Sequence, residues 1–116
     1  MVVHASMIQD RLDKIEAKVQ GASNIPEETK AQLLGLLEDL KKEVQSLPAA
    51  HDEKAEAIAH YTDVSTDEIT RPGKQPGQVD AALEGLTGSV SGFETTHPKL
   101  TQIVNQLAVT LSSVGI

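Results

Sequence analysis

Apolar residues recur along this chain at helical spacing, and the cleanest run lies near its end. Leu100, Val104, Leu107, Leu111 and Val114 follow one another at intervals of 4, 3, 4 and 3, which keeps them on one stripe of an α-helix. Ile103 and Ala108 widen that stripe. The opposite face is Thr101, Gln102, Asn105, Gln106, Thr110, Ser112 and Ser113, with no charge after Lys99. A solvated helix face ordinarily carries Lys and Glu, so this neutrality predicts crowding by another helix or another chain. Gly115 is placed to close the helix, with Ile116 falling back on Leu111 as in a Schellman cap. Thr96-His97-Pro98 reads as its start: Thr96 can cap, and proline is tolerated in a first turn because its missing N–H has no intrahelical partner there. Upstream, Val79, Leu83, Leu86, Val90 and Phe93 make a second seam whose phase His97 and Leu100 continue. Two helices with a break at Pro98 are expected. The alternative is one helix kinked there, at a cost of about 3 kcal/mol for an interior proline.

The N-terminal third repeats the pattern twice. Ile8, Leu12, Ile15 and Val19 form one seam, opened by the capping-box spacing Ser6-Met-Ile-Gln9 and closed at Gly21. Leu33, Leu37, Leu40, Val44 and Leu47 form the next, broadened by Leu34 and Leu36 and stopped by Pro48. Asn24-Ile-Pro-Glu27 supplies its start, with Asn24 as cap and Glu27 and Glu28 complementing the positive end of the helix dipole. The short link predicts an antiparallel hairpin over 5–48. Arms of about 14 and about 22 residues would span roughly 21 and 33 Å. The end carrying Leu40, Val44 and Leu47 is therefore expected to overhang and to need cover.

Residues 49–77 are harder to place. Ala55, Ile58, Ala59 and Tyr61 suggest a short, weakly apolar helix, and Ser65-Thr-Asp-Glu68 opens one or two further turns ending at Arg71-Pro72-Gly73. Six acidic residues against three basic ones predict exposure and mobility. A fourth helix is expected from about Gln78. In it Gly85, Gly88 and Gly92 form a small-residue stripe, read either as close approach by another backbone or as a loosely held helix. The fold class is thus all-α: one domain over 1–116, with the hairpin, a mobile acidic middle and a C-terminal helix pair or kinked helix over 78–116, packed as a bundle or coiled coil.

Composition narrows the chemistry. A length of 116 residues is one domain's worth, and the absence of Cys removes disulfides and thiolate metal sites. A net charge of −7 argues against nucleic-acid binding. Neither a basic-apolar leader nor an apolar run of membrane-spanning length is present, so no membrane partner and a cytoplasmic location are expected. Glu94-Thr-Thr-His97 has the Glu-x-x-His spacing of di-iron bundles, but a complete site needs a second such motif and two further Glu. Glu94 and His97 are therefore weak metal candidates beside a helix-junction histidine that bonds locally. Glu56 and His60 lack a third ligand, and His4 and His51 stand alone. No G-x-S-x-G elbow or P-loop occurs, so no catalytic residue or cofactor is assigned.

Phe93-Glu-Thr-Thr-His97-Pro98-Lys-Leu100 and the closing Gly115-Ile116 resemble the ends of an uncharacterised bacterial family of small helical proteins, domain of unknown function 4404. Leu83-Glu-Gly-Leu86 and Pro26-Glu-Glu are also similar. The resemblance implies a small helical protein and brings no activity, cofactor or functional residue. The reading that follows is a non-enzymatic protein that self-associates as a dimer or tetramer through its seams. The interface residues expected on the hairpin are Leu40, Val44 and Leu47. Those expected beyond it are Gly85, Gly88, Gly92, Phe93, Leu100, Val104, Gln106, Leu107, Leu111 and Val114. An acidic adaptor or regulatory subunit that uses the same seams on another protein is the alternative, and a metal-binding bundle is a distant third.

Overall fold

A computed structural model describes residues 3–115, with side chains described for 7–114. The fold is all-α. Five helices follow in order: α1 (Val3–Gly21), α2 (Glu27–Gln45), α3 (Asp52–Thr70), α4 (Pro76–Gly88) and α5 (Pro98–Gly115). A single 3-10 turn, Ala49–His51, leads into α3. α1 packs on α2 and α3, α2 on α5, α5 on α4, and α4 on α3, while α3 and α5 also touch. The helices thus close a ring around one apolar core, in a body of 40 × 24 × 21 Å.

Both N-terminal seams do what their spacing dictates. Ile8, Leu12, Ile15 and Val19 of α1 and Leu33, Leu37, Leu40 and Val44 of α2 are buried. Their lengths differ from expectation. α1 begins at Val3 rather than Ser6, and α1 and α2 are each 19 residues, so the arms match and the overhang is absent. The end of α2 is covered by α5. Asn24 does not cap α2: Pro26 stands at the N-cap position with no side-chain hydrogen bond, and the Asn24 amide donates to the Ile69 carbonyl at 2.9 Å. It thereby ties the α1–α2 link to the far end of α3. The expected closure of α5 by Ile116 falls outside the described residues.

The middle is the main correction. Instead of two short exposed helices, residues 52–70 form one 19-residue helix. Ile58 and Ile69 are fully buried, and so are Thr62, Ser65 and Thr66. The buried threonines satisfy their hydroxyls within the helix, Thr62 on the Ile58 carbonyl at 2.7 Å and Thr66 on the Thr62 carbonyl at 2.8 Å. α3 ends where Pro72 forces Arg71 into extended backbone, and Gly73 turns the chain at φ +71.

Residues expected as linker begin the fourth helix: Pro76 sits at the N-terminus of α4 and Gly77 lies inside it. α4 stops at Gly88, so Val90 and Phe93 reach the core from a turn rather than from the helix. The break at Pro98 is present, and α4 and α5 are two helices. His97, not Thr96, precedes the first helical residue. The Thr96 hydroxyl instead lies 3.1 Å from His97 Nδ1.

Candidate functional site

The structure sorts the expected interface residues into two groups, and most belong to the chain's own core. Leu40, Val44, Phe93, Leu100, Val104, Leu107 and Leu111 are buried, and Leu47 and Val114 pack against them. Within the chain, α2, α3, α4 and α5 pack these seams against one another. The glycine stripe divides three ways. A Cβ at Gly85 would run into the Tyr61 ring, so α3 and α4 do approach closely there. Gly88 has open space around it, and Gly92 is required by its φ of +97 in the turn after α4.

Glu94 and His97 are not brought together on a ligand. The Glu94 carboxylate accepts the Gly92 N–H at 2.7 Å. The His97 ring meets Phe93 and His51 edge-on, with centroids 5.2 and 5.7 Å apart. Lys54 lies 5.1 Å above the Phe93 ring. This cluster plugs the end of the core where the α2–α3 and α4–α5 connections meet. His60 lies 3.3 Å from Arg11. Among the described residues no three His, Cys, Asp or Glu side chains converge as metal ligands, and no helix is long and apolar enough to cross a membrane.

Charge joins α1 to its neighbours. Lys18 on α1 bonds Asp63 at 2.6 Å and Asp67 at 2.8 Å on α3, and Arg11 reaches Asp63 at 3.3 Å. Partial burial works against the Lys18 ammonium, but the two carboxylates outweigh it and hold its pKa above the ordinary value. Burial likewise works against the Asp63 carboxylate, and Lys18 and Arg11 outweigh it, holding the pKa below the ordinary value. Between α1 and α2, Lys41 bonds Asp13, Glu16 and Glu38 at 2.8, 2.9 and 2.7 Å. Hydrogen bonds to these three carboxylates raise its pKa. Burial pushes Glu16 up against the pull of Lys41. The Lys18 and Arg11 pairs clasp α1 to α3 through Asp63 and Asp67, and the Lys41 pairs with Asp13 and Glu16 clasp α2 to α1.

What remains open is the outer face of α5. Gln102, Asn105, Gln106 and Ser113 are exposed, and Val109 among them is 63% exposed. Thr110, expected on this face, is buried, with its hydroxyl on the Gln106 carbonyl at 2.8 Å. A groove runs along each side of the strip. The one toward α2 holds about 420 Å³ between Gln106, Thr110, Leu36 and Asp39. The one toward α4 holds about 770 Å³ over a floor of Leu83, Ala108 and Val109. On its far wall stand Asp80 and Glu84, one turn apart and exposed. Neither forms an ion pair among the described residues. Of this strip the sequence pattern singles out Gln106 but not Val109, although Val109 is the large apolar residue that falls out of phase with the 4-3-4-3 seam. The arrangement is an uncharged strip of amides and hydroxyls around one exposed valine, flanked by the carboxylates of Asp39, Asp80 and Glu84.

No curated protein and no solved structure matches the chain. A family model does match, over residues 37–116, from the second half of α2 through α5. The matched span holds the Phe93–Leu100 motif and both walls of the larger groove, and leaves out α1 and Pro26-Glu-Glu. Because it covers well over half of the sequence, the chain belongs to the family described as Domain of unknown function (DUF4404).

Proposed function

We propose that the chain is a non-enzymatic, acidic helical adaptor that docks another protein on the outer face of α5. The observation that carries this reading is the exposure of Val109 on an uncharged strip; among the described residues Met7 on α1 is the other exposed large apolar side chain. The seams are packed in the chain's own core, so this reading places the docking site on the strip. Its acidic banks favour a different protein over a second copy. Two chains of net charge −7 meeting face to face would bring Asp39, Asp80 and Glu84 toward one another's acidic surfaces, and like charges across an interface oppose association.

Static light scattering over a dilution series, read together with binding of an apolar-surface dye, tests this. The expected result is a monomer at micromolar concentration that binds the dye and loses it in Val109→Lys without change in helicity. A dimer that persists on dilution and falls to a monomer in Val109→Lys would overturn the adaptor reading in favour of self-association.

A further inference from the structure

The larger groove is asymmetric in a way that defines its occupant. One wall, on α5, presents Asn105 and Ser112, neutral and able to hydrogen-bond. The other, on α4, presents Asp80 and Glu84, with which no cation among the described residues pairs. Lys74 donates to the Val114 carbonyl at 3.1 Å, and Lys99, at the start of α5, faces Glu43 at 3.9 Å. The floor is apolar, made by Leu83, Ala108 and Val109. Asp80 to Thr87 and Asn105 to Ser113 each run for about two helical turns, roughly 11–12 Å.

An apolar trough between two helices accepts the apolar face of a third, read as residues at i and i+4. We infer that the α4–α5 groove binds an amphipathic helix of another protein that sets apolar side chains on Val109 and Leu83 and carries Lys or Arg along the flank facing Asp80 and Glu84. The inference rests on the adaptor reading and adds the partner's chemistry to it. The two carboxylates are spaced to meet basic residues four apart on the incoming helix, because i and i+4 lie on one face. Such pairs at an exposed rim contribute specificity and association rate more than affinity. The apolar floor supplies the anchoring.

The test uses the full chain and three fluorescent synthetic helices that share one apolar face. Their flanks carry lysine, glutamine or glutamate, and binding is read by anisotropy. The lysine peptide should bind, weaken as salt is raised, and lose about tenfold in affinity to Val109→Lys, as expected for an anchor position. Against the double variant Asp80→Asn, Glu84→Gln its preference over the glutamine peptide should disappear and its salt dependence flatten. The glutamate peptide should not bind. If the glutamine peptide binds wild type as tightly as the lysine peptide, and Val109→Lys weakens both, the basic flank is wrong while the adaptor reading stands. If no peptide binds and the chain is a dilution-resistant dimer, both fall. If the lysine peptide binds equally to wild type and to every variant, the groove is not its site, and the inference is overturned. Circular dichroism of each variant shows that the exposed positions leave the fold intact.

Discussion

Helices α3 and α5 are nearly equal in length, 19 and 18 residues, and opposite in the relation of composition to position. α3 contains Asp52, Glu53, Glu56, Asp63, Asp67 and Glu68, yet none of its residues from Tyr61 to Thr70 is fully exposed. α5 carries a single charged residue, Lys99, yet presents Val109 and a row of amides to solvent. Charge is therefore a poor guide to exposure when a facing helix answers it. α1 supplies Arg11 and Lys18 to the carboxylates of α3, and the helix's own carbonyls take the hydroxyls of Thr62, Thr66 and Thr70. Conversely, the uncharged strip of α5 lies at the surface, because among the described residues no other helix covers it.

The contrast breaks most sharply by truncation. Ile58 on α3 is fully buried and Val109 on α5 is not. Ile58→Ala should destabilise by about 2–5 kcal/mol, the cost of a core cavity, while Val109→Ala should stay within about 0.5 kcal/mol. Denaturant melts of the two variants measure both. An Ile58→Ala loss within experimental error would return α3 to the loosely held segment that its composition suggests.

A smaller effect sharpens the way α3 is held. Gly85→Ala should cost about 1–3 kcal/mol, because the added methyl meets the Tyr61 ring and forces repacking between α3 and α4. Gly88→Ala, one turn along α4 and facing open space, should instead be neutral or stabilise by up to about 1 kcal/mol through the unfolded chain. Equal shifts in melting temperature for the two would mean that the glycines act as one stripe rather than as a single close contact.

What was legible in the sequence follows from these same forces. The seams of α1, α2 and α5 were legible because buried Leu, Ile and Val at helical spacing are their own signal, and the break before α5 because His97-Pro98 is poor helix interior. α3 was not legible as a core helix, since Thr62, Ser65 and Thr66 count as polar in any hydropathy pattern; the two threonines are sheltered once their hydroxyls bond within the helix, and Ser65 is buried with its hydroxyl unpartnered. The role of Asn24 was hidden for a related reason. Its neighbours suggest a cap, and its actual partner, the Ile69 carbonyl, is 45 residues away. The candidate groove was half legible. The neutral face of α5 is visible in the chain, but the trough exists only because α4 sets Leu83 and the Asp80–Glu84 pair beside Val109. No periodicity within one helix reports that neighbour.

The smallest expected effect tests whether α1 holds the acidic helix in place. Asp63 is mostly sheltered, with 20% of its side chain exposed, while Lys18 and Arg11 are about 40% exposed at 39% and 42%, so solvent screens much of the attraction. Asp63→Asn should cost about 1 kcal/mol at neutral pH, a value discounted to the upper end of surface ion pairs. Its pH dependence separates charge from packing. The Asp63 carboxyl is held below its ordinary value of 3.8, so the folded state binds its proton less readily than the unfolded state does. The contribution is then fully present above the unfolded value, about 3.9, and is lost as pH falls through the lower folded value. At the other limit Lys18, held above 10.5, contributes fully below that value and loses its contribution as pH rises through its folded pKa. Wild type and Asp63→Asn should therefore differ by a constant amount from about pH 5 to 9 and converge on acidification below about pH 4. A difference that persists unchanged below pH 3 would show that the asparagine disturbs packing, and that something other than the α1 cations keeps α3 inside.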